Sequence, residues 1–330
     1  MSAPSPAAPA ASPFRTMLSR INLQHYVVYV GFLAIFLFFA IVLRDSGFLS
    51  QRNLVNIALQ TAPATIMAIG LVFVLSAGEI DLSFGSTVAV SALCAAMAMA
   101  AMPGAALPVG VAAGIGAGLL IGAINGALVA WLRLPSFLVT LATMGLVAGV
   151  ARSLTQLRSI PVTDPLFTGI FGSGSLFGIP SLVIWTVVGV AVGHVVYRQT
   201  RFGAHVLATG DNARAAQVTG IKVSRIRLSV FMISGGLAGL AGLLYAGRLQ
   251  AAKYTLGETD LMTVIAAVIV GGTLLNGGKG SVVGALVGSL LMGMLNNGLI
   301  LMGLSVSDQM IVRGLIILIA VAVSLREKNR

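Results

Sequence analysis

The polar residues that interrupt the apolar stretches of this 330-residue chain are few enough to weigh one by one. Glu79 and Asp81 stand between two apolar runs, in Gly78-Glu79-Ile80-Asp81-Leu82. A carboxylate at such a junction can cap the next helix by accepting the unpaired amides of its first turn. Capping, ion pairing and contact with a passing solute are the readings open to the two acids. Asn125, Asn296 and Asn297 lie inside apolar runs, where an amide must find a partner or face a wet cavity. They fit interhelical glue or hydrogen bonding to a polar solute. His25, His194 and His205 are scattered and Cys94 is the single cysteine, so no metal cluster and no disulfide within the chain is expected. No grouping of carboxylates, histidines and nucleophiles suggests catalysis.

One segment imitates a phosphate-binding loop. Gly272 to Ser281 reads Gly-Thr-Leu-Leu-Asn-Gly-Gly-Lys-Gly-Ser. The spacing fails, because Thr273 stands where the first glycine is required and Gly280 follows Lys279 in place of Ser or Thr. The segment reads as a tight turn between two apolar runs, with glycines permitting unusual dihedrals. No cofactor is expected in this chain.

The elements that carry these residues are membrane spans. Only 9% of residues are charged, 57% are hydrophobic and the mean hydropathy is +1.00. A soluble domain carries about a quarter charged residues. The expected fold is all-α: a polytopic bundle of about ten transmembrane helices, the first at Tyr26 to Leu43 and the last at Gln309 to Leu325. The third (Gly85 to Ala101), fifth (Ser136 to Ala151) and eighth (Leu261 to Leu275) are near the lower length limit for a full span, which leaves a broken or partly re-entrant segment open for each. Residues 1–20 read as a disordered tail, 21–325 as one membrane domain and 326–330 as a second tail. Asp164 to Gly178, rich in glycine, reads as a loop on the outer face. With the N-terminus inside, thirteen of the 20 Lys and Arg fall on the cytoplasmic side and six on the other, with Arg313 within the last span. That bias sets both termini in the cytoplasm. The net charge of +11 therefore needs no nucleic-acid partner.

Gly78-Glu79-Ile80-Asp81-Leu82 recurs as Gly257-Glu258-Thr259-Asp260-Leu261, and the run ending at Asn125 recurs as the run ending at Asn296. The matching elements are five spans apart. An odd offset turns the halves upside down, giving an inverted 5+5 repeat with a pathway near the shared axis. Gly114, Gly118, Gly122 and Gly126 form one stripe on the fourth span, echoed by Gly235 and Gly239 on the seventh. Such stripes permit close helix contact.

Three segments together resemble the ribose/simple-sugar permease family of ABC importers. They are Gly78 to Ser86, Arg201 to Val223, and Ile265 to Gly284 with its Gly-Gly-Lys-Gly-Ser. The resemblance runs from about Asn53 to Leu325 and implies a multi-pass protein of the bacterial inner membrane. It implies a path for a sugar or sugar-like solute, a periplasmic solute-binding protein that delivers it, and a separate cytoplasmic ATPase that binds the ATP. It also implies a second permease copy, forming a homodimer. The polar loop 198–225 is then the ATPase-coupling segment, with Arg201, Gly210, Asp211, Asn212, Ala215, Ala216 and Gly220 as its candidate residues. Asp211 stands where the family usually has Gly, and Ala213-Arg214 where an acidic residue and Ala are common. A short helix is expected near Ala213 to Thr219, capped by Asp211 or Asn212 and ended by Gly220. The solute path is expected to use Asn125, Asn296, Asn297, Glu79 and Asp81. The alternatives are a branched-chain amino-acid-type ABC permease and an ion-driven secondary transporter; the second needs an ionisable residue in the membrane core, and the spans offer chiefly Arg313.

Overall fold

The computed structural model describes residues 23–312, 314–316 and 318, and these are mostly helical. The first half holds α1 (Leu23–Val42), α2 (Gln51–Ser76), α3 (Phe84–Ala101), α4 (Ala106–Ala130) and α5 (Ser136–Thr155). A connector follows with the short helix α6 (Pro165–Thr168). The second half holds α7 (Ser181–Gln199), α8 (Arg201–Asp211), α9 (Ala213–Val218), α10 (Val223–Leu249), α11 (Asp260–Val270) and α12 (Val282–Leu301). Residues 306–312 are again helical. The expected tails 1–20 and 326–330 lie outside the described residues, as does most of the expected last span with Arg313.

Seven described helices are long and apolar enough to cross a membrane; Tyr29–Val42 and Asp260–Val270 are shorter apolar helices. Of the two readings of the eighth segment, the broken one holds: α11 has 11 residues, about 16 Å of rise, half the thickness of a bilayer core. It ends where Gly272 takes φ +86° and the chain turns. The glycine-rich segment 272–281 is that turn, as its spacing suggests.

α2 and α3 are innermost, with 78% and 72% of their apolar windows buried, against 17–28% for α4, α5 and α7. The outer faces of those three are apolar, carrying exposed Leu120, Leu146 and Val187. Water is no neighbour for such a surface, so lipid or another membrane subunit covers it. The glycine stripes of α4 and α10 meet. A Cβ on Gly118 would collide with the carbonyl of Gly235, and one on Gly235 with that of Gly118. The backbones touch where only glycine leaves room, the contact small-residue stripes make in membranes.

At one end of the bundle β1 (Ile160–Pro161) pairs antiparallel with β4 (Ala251–Ala252), in the register Ile160 to Ala252. Nearby, β2 (Ser175–Leu176) and β3 (Ile179–Pro180) form a hairpin. The segment expected as a plain loop, 164–178, is therefore largely ordered. Asp164 caps α6 by accepting the Phe167 amide at 2.7 Å.

Candidate functional site

Between α2 and α3 the chain leaves the helical path while remaining inside the bundle. Ile80 and the residues around it are held by neighbouring helices: the Ser136 hydroxyl accepts the Ile80 amide at 3.1 Å. Arg227 Nε of α10 lies 2.6 Å from Glu79 Oε1, a charge pairing without hydrogen-bond alignment. Burial pushes the Glu79 carboxyl above its ordinary value, while the Arg227 charge and the Ser136 hydroxyl pull it back. Asp81 is buried; its Oδ1 accepts from the Ser83 amide at 2.8 Å and hydroxyl at 2.7 Å, and its Oδ2 from Ser234 at 2.7 Å. Asn125, fully buried, donates to Ser83 Oγ at 2.8 Å and accepts from Thr143 at 2.7 Å. One polar network so joins α3, α4, α5 and α10 around the break. It brings Asp81 and Asn125 together, with Glu79 beside them on its own ion pair.

Asn296 and Asn297 are adjacent in α12 and go to different places. Asn297 exchanges two amide hydrogen bonds with Asn53, at 3.0 and 2.9 Å, which ties α12 to the start of α2. Asn296 lines a cavity of about 200 Å³ between α2, α10, α11 and α12. Gln60, Tyr245, Arg248, Asp260 and Ser289 share its wall. Tyr245 Oη donates to Asp260 Oδ2 at 2.6 Å. Asp260 is the first residue of α11, so the cavity sits where the short helix begins. The connector leading to it is braced by Arg152, whose guanidinium bonds Glu258 at 2.6 Å and lies 5.6 Å from the Tyr254 ring centroid. Of the five expected pathway residues, only Asn296 lines this cavity. The repeat pointed to Asp260 through its match to Asp81; Tyr245, Arg248 and Gln60 carry no such sequence signal.

The segment 198–225 is mostly helix. α9 occupies Ala213–Val218, and Asn212 caps it by accepting the Ala215 amide at 3.0 Å. Asp211 is instead the last residue of α8, and α8 itself was not expected. Gly220, at φ +92°, follows the end of α9. Arg201, Asp211, Asn212, Ala215 and Gly220 are exposed and Gly210 is half-buried. Ala216 is buried, at 4% exposure, so it faces its own chain; Val218, at 89%, is the large apolar side chain that α9 exposes. Gly210 lies where three connectors meet: the Gly278 amide donates to the Ser76 carbonyl at 3.0 Å, and a Cβ on Gly210 would strike that same carbonyl. The Ser76 hydroxyl is in turn 2.7 Å from Tyr197 Oη.

Among the described residues no group of histidines, cysteines and acids stands together as a metal site. The family described as the branched-chain amino acid transport system permease component matches residues 53–321. The chain is 40% identical over 299 residues to the ribose import permease protein of Haemophilus influenzae, covering 88% of this chain and 91% of that one. It is 38% identical over 315 residues to the ribose import permease protein of Bacillus subtilis, covering 93% and 96%. The xylose transport system permease protein of Escherichia coli K12 is 32% identical over 373 aligned positions, covering 95% and 94%. No solved structure matches. On this similarity, which spans nearly the whole chain and carries the three segments picked out in the sequence, the chain belongs to the ribose-type permease family of ABC importers.

Proposed function

We propose that this chain forms the import path for a pentose or similarly small sugar in a bacterial inner membrane. The observation that carries the reading is a cavity with a polar wall, set in a bundle whose outer faces are apolar. The ribose and xylose permeases named above support the solute class. The branched-chain amino-acid alternative has less support, because the relatives that cover most of the chain are named for ribose and xylose.

In this reading energy comes from a separate ATPase in the cytoplasm, and a periplasmic binding protein delivers the sugar to the opposite face. The segment 198–225, with its exposed Arg214, Gln217 and Val218, is the docking surface for the ATPase. Its seven candidate residues divide accordingly: Arg201, Asp211, Asn212, Ala215 and Gly220 toward the partner, Gly210 and Ala216 toward the chain's own core. The end holding α8 and α9 is cytoplasmic, both termini lie on that side, and two copies enclose the path. The inverted repeat finds support in the two breaks. Gly78 and Gly257 both take φ +78°, each ahead of an irregular stretch that leads into a helix, α3 or α11.

The test is uptake of ribose and xylose by proteoliposomes holding the permease and its ATPase, with binding protein and ATP supplied on their proper sides. ATP-dependent accumulation is expected. Val218→Asp should reduce it at least tenfold while the bundle keeps its melting temperature, because an exposed side chain contributes nothing to the fold but a charge there opposes an apolar contact. Accumulation driven by an ion gradient without ATP would overturn the reading.

A further inference from the structure

A groove of about 520 Å³ between α2, α7 and α12 is apolar over most of its length and basic beyond one end. Its wall on α7 is a single stripe: Val183, Val187, Val190, Ala191 and His194. That spacing puts the side chains on one face of a helix. The stripe is about 16 Å long, close to half the core of a bilayer and so to the reach of one acyl chain. Val187 and Ala191 are exposed, so the groove opens onto the apolar outer surface. α12 lines it with Val283, Leu286 and Leu290.

Three polar side chains stand in this wall, and two are satisfied by their own helices. The Thr61 hydroxyl donates to the Ile57 carbonyl and the Thr186 hydroxyl to the Leu182 carbonyl, each at 2.9 Å. His194 differs, because no hydrogen bond reaches its imidazole among the described residues. A polar ring at membrane depth calls for a partner. One turn further along the same stripe is Arg198, exposed and in no ion pair among the described residues. The turn 272–281 comes up beside it: a Cβ on Gly280 would strike the Tyr197 hydroxyl. That contact brings the exposed and likewise unpaired Lys279 to the end of α7.

An apolar slot that ends in a cluster of unneutralised cations has the chemistry of a phospholipid seat. A second copy of this chain is a poorer occupant. It carries nine acids against 20 Lys and Arg, and the outer faces of its helices offer apolar side chains to the slot but no anion to the cluster. We propose that the groove seats one acyl chain of an anionic phospholipid, whose phosphate is held by His194, Arg198 and Lys279. The lipid then ties the end of α7 to the turn that leads into α12, as a structural ligand of the bundle. This holds whatever solute the chain passes.

The experiment titrates the full-length permease in mild detergent with phosphatidylglycerol, or with phosphatidylcholine of the same chains, and counts retained lipid by native mass spectrometry. Phosphatidylglycerol is expected to be retained at about tenfold lower concentration than phosphatidylcholine. Arg198→Gln and Lys279→Gln should each weaken its retention about fivefold, whereas Arg225→Gln, which removes a charge away from the groove, changes it less than twofold. Val190→Trp fills the slot and leaves every charge in place, so it should bring phosphatidylglycerol down to the level of phosphatidylcholine. Val187→Trp, at a more exposed point of the same wall, repeats that test without disturbing packed side chains. Equal retention of the two lipids by the wild type overturns the seat. Retention that follows charge alone, with Arg225→Gln as damaging as Arg198→Gln and both tryptophan variants normal, also overturns it. A dimer that Val187→Trp splits while lipid retention is unchanged assigns the groove to a second copy, and the seat falls.

Discussion

At the scale of single residues, the polar groups divide into those that hold the bundle and one group that lines a cavity. Glu79 is 9% exposed and its partner Arg227 is 30% exposed. Removing the guanidinium strands a mostly buried carboxylate, at a cost of about 1–3 kcal/mol for a lost charged contact. Arg227→Ala is thus expected to lower the melting temperature in detergent, and Glu79→Gln added to it should restore part of the loss. A double variant no more stable than Arg227→Ala alone would show that the pair is not coupled. The sequence made these acids visible, because charge is rare in so apolar a chain, and it left pairing and solute contact both open. What it did not disclose was the division of the asparagines. Asn296 and Asn297 are neighbours, yet a helix turns successive residues by about 100°, so one reaches the cavity and the other reaches Asn53. Only the phase of α12 against α2 decides which is which, and that phase is a tertiary fact.

At the scale of elements, most long apolar runs became helices at the expected places, because length and hydropathy dominate in a membrane. The shortness of the eighth run already left a broken span open; only its end was set too far along, because the apolar run continues past Val270 to Leu275 while Gly271 and Gly272 end the helix. α8 was missed because two glycines and flanking charge hide it. Its buried residues Val206 and Thr209, with half-buried Phe202, nonetheless fall at helical spacing, and that pattern was available to find it. The meeting of α4 and α10 carries a sharp expectation. Gly118→Ala places a methyl against the Gly235 carbonyl, whereas Gly116→Ala meets nothing within 4 Å. Overpacking of this kind costs about 1–3 kcal/mol. Thermal unfolding in detergent should show a lower midpoint for Gly118→Ala and an unchanged one for Gly116→Ala; equal midpoints would mean that the helices separate freely.

At the scale of the whole molecule, the two ends differ in what they display. One end shows α8, α9 and the turn 272–281; the other shows the hairpin tip with Phe177, 95% exposed. Impermeant thiol reagents applied to intact cells should label Phe177→Cys and spare Val218→Cys, and the reverse on inverted vesicles. The opposite pattern would turn the protein over. Between these ends Thr61 has a particular place. It lines the polar cavity on one side and, on the other, an apolar groove of about 520 Å³ between α2, α7 and α12. Its hydroxyl turns back to the Ile57 carbonyl at 2.9 Å, and a Cβ on Gly293 would strike its methyl. A single side chain therefore borders both the polar cavity and the apolar groove, and its fit against Gly293 sets how closely the two approach each other.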